Sequence, residues 1–139
     1  MINFSNTTAF RIPNKKGLKK WLSSIITQER HVEGELNFLF CDDNYLHQLN
    51  VEFLAHDTLT DILTFDYNLG RQVFADVCIS IDRIKDNAAD NQIPVLNELH
   101  RVMAHGVLHL CGYKDSTNSE KMKMRKKEDE YLYQLEFGR

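Results

Sequence analysis

The segment His105-Gly-Val-Leu-His109-Leu-Cys-Gly112-Tyr-Lys-Asp115 restricts this chain more than any other stretch. Four residues of α-helix turn through about 400°, so His105 and His109 stand one above the other on the same helix face. Gly112 ends that helix. A glycine just past the last periodic residue adopts the left-handed conformation and reverses the chain, which brings Asp115 back towards the imidazoles. Two imidazoles, one carboxylate and an open position make the ligand set of a catalytic zinc, one ion per chain, whereas structural zinc is closed by four ligands rich in cysteine. A lone HxxxH pair is more often two polar residues beside a core; the glycine stop and the returning carboxylate move the reading to a metal site. Other candidates fail on angle, with His100 about 140° and Cys111 about 240° around the helix from His105. Glu98, seven residues before His105, falls near the metal face, where a surface salt bridge explains it equally well.

At 139 residues the chain suits one compact domain, 1–139, with a real core. A hydrophobic fraction of 42% with 27% charged residues is that of a soluble globular protein, and no apolar run approaches a membrane span. The N-terminus lacks the apolar stretch and cleavage site of a signal peptide, so a cytoplasmic location without membrane contact is expected. Cys41, Cys78 and Cys111 lie far apart in apolar sequence, as small buried hydrophobes in a reducing compartment would. A net charge of −3 argues against an indiscriminate nucleic-acid binder, so any contact with RNA must be local. Basic residues do cluster at Lys15–Lys20 and at Lys121–Lys127, although solvated helix faces account for such runs too.

Periodicity predicts a strand at Ile2–Ser5, an amphipathic helix at Gly17–Glu29 and a buried strand at Glu35–Cys41. Asp42 is placed to cap a helix with an apolar stripe of Tyr45, Leu46, Leu49 and Phe53. Asp61–Tyr67 and Val73–Ile81 read as neighbouring strands joined around Gly70. A short helix at Asp82–Ala89 precedes the long metal helix, which Pro94 opens and whose apolar side is Val95, Leu99, Val102, Met103 and Leu110. A last helix at Ser119–Leu135 is expected to turn Met122, Tyr131, Leu132 and Leu135 inward and its lysines outward. The sum is an α+β, or mixed α/β, domain with a small mixed sheet packed by helices.

His105, Gly106, Leu108, His109, Leu110, Gly112 and Tyr113 match the signature HGxLHLxGYDH, and with two upstream blocks the chain resembles the YbeY family of bacterial endoribonucleases. Thr60-Asp61-Ile-Leu-Thr-Phe65 is similar to that family's TDVLSF block, and Ala75-Asp76-Val-Cys-Ile-Ser80 to its GDIxIS strand. Asn50, Phe53 and Asp57 also fall where the family carries an asparagine, an aromatic residue and an aspartate. Two positions depart. The family's third metal histidine aligns with Asp115, which preserves coordination through oxygen but lowers the formal charge of a divalent site from +2 to +1. The arginine after the Asn-x-x-aromatic stretch aligns with Leu54, removing a guanidinium that could stabilise charge at a phosphoryl centre.

The resemblance implies a zincin-like fold and a zinc-dependent endoribonuclease for single-stranded RNA. It also implies a role in 3′-end maturation of small-subunit ribosomal RNA, with that precursor and the small ribosomal subunit as partners. On this reading Asp61 and His105 are catalytic, and His105, His109 and Asp115 hold the metal. His56, Asp57, Lys121 and Lys123 contact substrate. Two rivals are weighed against it. A zincin-type metallopeptidase is disfavoured because Gly106 stands where HExxH enzymes carry their glutamate base. A ribosome assembly factor with a merely structural metal is kept open by Leu54.

Overall fold

The computed structural model describes residues 1–54 and 60–138. Its elements run β1 (Ile2–Asn6), α1 (Lys15–Gln28), β2 (Val32–Cys41), α2 (Asp43–Leu54), β3 (Ile62–Asp66), β4 (Gln72–Ser80), α3 (Ile81–Asp90), α4 (Val95–Leu110) and α5 (Asn118–Phe137). Alternation sets the sheet. Leu36, Phe38 and Phe40 of β2, with Val73, Ala75, Val77 and Ile79 of β4, turn to one face and join the main core under α1 and α4. Cys41 and Cys78 turn to the other face and meet Leu46 of α2 and Leu63 of β3 in a smaller cluster. A period of two along each strand produces this division. The strand order is β1-β2-β4-β3, with β1 and β4 parallel to β2 and β3 antiparallel to β4. The α+β reading with a mixed sheet is therefore what the chain adopts, and among the described residues no helix is long and apolar enough to cross a membrane.

β2 starts earlier than its apolar pattern suggests. Val32 and Glu33 pair with Gln72 and Val73 ahead of an irregularity between Glu33 and Leu36. A Cβ on Gly34 would lie 2.6 Å from the Val73 carbonyl, so only glycine allows the strands to close there. Asp42 caps α2 as expected, its Oδ1 accepting from the Tyr45 amide at 2.8 Å. The stripe on α2 is narrower than expected: Leu46 and Asn50 are buried, whereas Tyr45 and Phe53 are exposed. Tyr45 lies on the flank of that face, and Phe53 reaches only edge-on to Phe65, 6.2 Å between ring centres.

α5 corrects the pattern in a way that matters for the site. Met122 is 74% exposed, whereas Tyr131 is buried and Leu132 and Leu135 pack partly buried against the core as expected; the fully buried stripe is Met124, Glu128 and Tyr131, one every turn. Because the middle one is acidic, the buried stripe is hidden from a search for apolar spacing. The helix starts at a capping box in which Thr117 accepts from the Glu120 amide at 3.1 Å and Glu120 accepts from the Thr117 amide at 2.9 Å. A cap of this kind contributes about 1 kcal/mol and fixes where α5 begins. Its far side is tied down by Glu29, whose carboxylate accepts from the hydroxyls of Tyr113 (2.8 Å) and Tyr131 and lies 3.3 Å from Lys127 Nζ. Burial alone would raise the Glu29 carboxyl; those hydroxyls and the ammonium outweigh it and hold it below the ordinary range.

Candidate metal and RNA-cleavage site

α4 and α5 build the site between them. Pro94 caps α4, and the helix ends at Cys111, where Gly112 takes φ +104° and turns the chain back. That turn delivers Asp115, whose Oδ2 lies 3.7 Å from Nε2 of His105. Two donors at about 2.1 Å from one tetrahedral ion stand roughly 3.4 Å apart, so this spacing is close to that of a ligand pair. The other ring nitrogen is already committed: Nδ1 of His105 donates to Glu128 Oε2 at 2.7 Å. His109, exposed one turn later, sets its own Nδ1 3.2 Å from the Tyr113 carbonyl. Both imidazoles thus have Nδ1 engaged, by a carboxylate and by a backbone carbonyl, which is how metal-binding histidines are oriented. The donor chemistry fits a divalent ion. Among the described residues, no three histidine, cysteine, aspartate or glutamate side chains are gathered tightly enough to enclose one. The close pair is His105 with Asp115.

Glu128 is the residue that sequence reasoning missed. It is 5% exposed and held by Arg101, whose Nη1 donates to Oε1 at 2.9 Å while Nη2 donates to Asp129 at 2.7 Å. One carboxylate oxygen serves the arginine and the other the imidazole. The hydrogen bond to Glu128, opposed by burial and aided by the nearby charges of Glu128, Asp115 and Asp61, raises the basicity of His105. The available signal was an acid at i+4 from Met124 and i−3 from Tyr131, on a face that otherwise reads as core. Glu128→Gln must turn its amide donor towards either Arg101 or His105, both themselves donors. It is expected to weaken zinc affinity by about 10- to 100-fold in calorimetric titration.

A cavity of about 330 Å³ opens beside His105, lined also by Asp61, Glu98, Asp115, Lys121 and Arg125. Asp61, just before β3, is thus brought beside His105 and Asp115, and burial raises its carboxyl above the ordinary range. Glu98 is not a surface salt bridge: it is buried, has no ion pair among the described residues, and its carboxyl is raised by burial and then by Asp61. Lys121 lines this cavity. Lys123 does not, because two residues further round α5 its ammonium sits 5.9 Å from the Tyr113 ring centre, beside a separate recess. His56 and Asp57 lie outside the described residues. His100 packs edge-on to Trp21, and the thiol of Cys111 is pushed up to about 12 by burial and Glu29; neither serves the site.

Comparison with known proteins gives the family. The sequence profile described as Endoribonuclease YbeY matches residues 2–136. The chain belongs to the YbeY family. An Endoribonuclease YbeY from Flavobacterium johnsoniae is 50% identical over 132 residues, covering 95% of each chain. That of Flavobacterium psychrophilum is 49% identical over 95% of this chain and 94% of its own. In three dimensions the chain is similar to a solution structure from Thermotoga maritima, with a TM-score of 0.69 and 25% identity over 97% of this chain and 89% of that one.

Proposed function

We propose that this endoribonuclease is zinc-dependent and cleaves single-stranded RNA in the maturation of small-subunit ribosomal RNA, working with the small ribosomal subunit in the cytoplasm. The observation that carries the reading is the pair His105 and Asp115 at 3.7 Å, with Nδ1 of His105 fixed by a buried glutamate and cations in the same cavity. His105, His109 and Asp115 would hold one zinc ion. When bound, such an ion acidifies water and polarises a phosphate oxygen, the chemistry that phosphodiester hydrolysis needs at neutral pH.

The remaining work falls to the protein's own side chains. Asp61, with its carboxyl raised by burial, takes or holds a proton at its carboxylate oxygens beside the reacting phosphate. Lys121 and Arg125 attract that phosphate into the cavity. Glu128 and Arg101 act through His105 and keep its ring from rotating. The peptidase reading fails on Gly106: this position is buried, and a Cβ there would lie 2.9 Å from Ile62 Cδ1 and 3.7 Å from Val77 Cγ1, in the packing against the sheet.

Metal analysis coupled to cleavage tests the proposal. Protein purified without chelator should carry about one zinc per chain and cut precursor small-subunit ribosomal RNA. Chelator should stop the cutting and added zinc restore it. Tight binding to the small subunit with no metal-dependent cleavage would instead identify a non-catalytic assembly factor.

A further inference from the structure

Lys121 and Arg125 lie on two surfaces at once. They line the cavity beside His105, and they also border the outward face of α5, which continues through Met122, Lys126, Asp129, Tyr133 and Gln134. At 100° per residue, positions 122, 126, 129, 133 and 137 follow one another along that face. Its apolar members are unusually open to solvent, with Met122, Tyr133 and Phe137 at 74%, 61% and 55% exposure. Tyr133 and Phe137 pack on each other with ring centres 4.5 Å apart and planes tilted by 37°. A paired, solvent-facing aromatic surface of this sort contributes nothing to the core.

Charge identifies the occupant. Of the acids bordering this face, Asp129 is committed to Arg101 at 2.7 Å and Glu130 to Lys127 at 3.7 Å, while Glu136 lies at the far end beside the aromatic rings. Lys121 and Lys126 have no ion pair among the described residues, and Arg125 only a 3.8 Å approach to Glu128. The face therefore offers uncompensated positive charge at the end near the site and aromatic rings at the far end. A polyanion with flat bases matches both features, whereas an apolar protein helix would leave the cations unanswered. Along α5, Tyr133 lies about 12 Å and Phe137 about 18 Å beyond Arg125, the length of roughly three to five nucleotides of a stacked strand.

Resting on the reading of the chain as an endoribonuclease, we propose that the outward face of α5 is a subsite for the RNA strand flanking the scissile bond, its phosphates on Lys121, Arg125 and Lys126 and a base stacked on the Tyr133–Phe137 pair. This subsite favours unpaired RNA. A duplex hides the base faces that the rings need, while a single strand can turn one base onto them. It would also give long substrates an advantage over short ones that the cavity alone would not.

The test compares binding of a trinucleotide and a single-stranded dodecanucleotide of the same composition to the full chain, by rapid-mixing anisotropy before cleavage accumulates. 2-Aminopurine at successive positions of the longer RNA reports stacking. The parent should prefer the dodecanucleotide and quench the probe at one or two positions. Tyr133→Ala/Phe137→Ala should lose about tenfold of that preference together with the quenching, the effect of one stacked base. Tyr133→Phe should keep both, and Lys126→Glu should reduce the slope of binding against salt by about one phosphate contact or more. If the parent prefers the long RNA and the double alanine variant prefers it equally, the subsite is wrong while the nuclease reading stands. The subsite is equally wrong if the variant loses only its association with the small ribosomal subunit, which would mean that the face receives a protein. A parent that binds neither RNA overturns both.

Discussion

His105→Ala is expected to reduce RNA cleavage by a factor on the order of 10³ while leaving the protein folded, since it removes the proposed metal donor that stands 3.7 Å from Asp115. The fold survives because His105 is only part-buried, and its partner Glu128 keeps the Arg101 guanidinium at 2.9 Å. No uncompensated buried charge is left behind, which is what usually makes such a deletion costly. Single-turnover cleavage, with zinc content and melting temperature measured on the same sample, separates lost chemistry from lost structure. Asp115→Ala should lose zinc similarly and Asp115→His should keep it, because one donor replaces another on the far side of the Gly112 turn. A zinc-loaded, fully active His105→Ala protein would remove this histidine from the site.

How much of this was legible beforehand depends on which physical signal each residue carried. The helix-stop-return from His105 to Asp115 was readable because periodicity and the left-handed preference of glycine are local properties, and Gly112 does take φ +104°. The mixed sheet was readable in outline because apolar alternation and the Gly70 turn mark β3 and β4 as a hairpin. The buried face of α5 was readable only in part, through Tyr131, Leu132 and Leu135. Its stripe is Met124, Glu128 and Tyr131, and an acid on it looks like surface until Arg101 and His105, from another helix, are seen to satisfy both oxygens. Lys121 and Lys123 were equally basic in sequence, and only the rotation of α5 about its axis puts one in the cavity and the other over Tyr113. Partners distant in sequence are what local patterns omit, and the electrostatics of this site consist largely of them.

Gly106→Glu, which would recreate the HExxH arrangement of zinc peptidases, is expected to unfold the protein rather than give it a new activity. A Cβ at this position lies 2.9 Å from Ile62 Cδ1, 3.7 Å from Val77 Cγ1 and 3.9 Å from Thr64 Cγ2, so a longer side chain runs into the packing of α4 on β3 and β4. Overpacking there costs about 1–3 kcal/mol, and a carboxylate buried without a partner costs several more. Together these approach the whole stability of an ordinary domain, about 5–15 kcal/mol. Gly106→Ala separates the steric part. Its methyl need only displace the tip of Ile62, and the roughly 0.8–1.0 kcal/mol gained in helix propensity offsets much of that, so its melting temperature should stay within a few degrees of the parent's. Thermal unfolding of the two variants beside the parent measures both effects. A Gly106→Glu protein that melts with the parent and cleaves peptides would mean that this position faces the metal rather than the sheet.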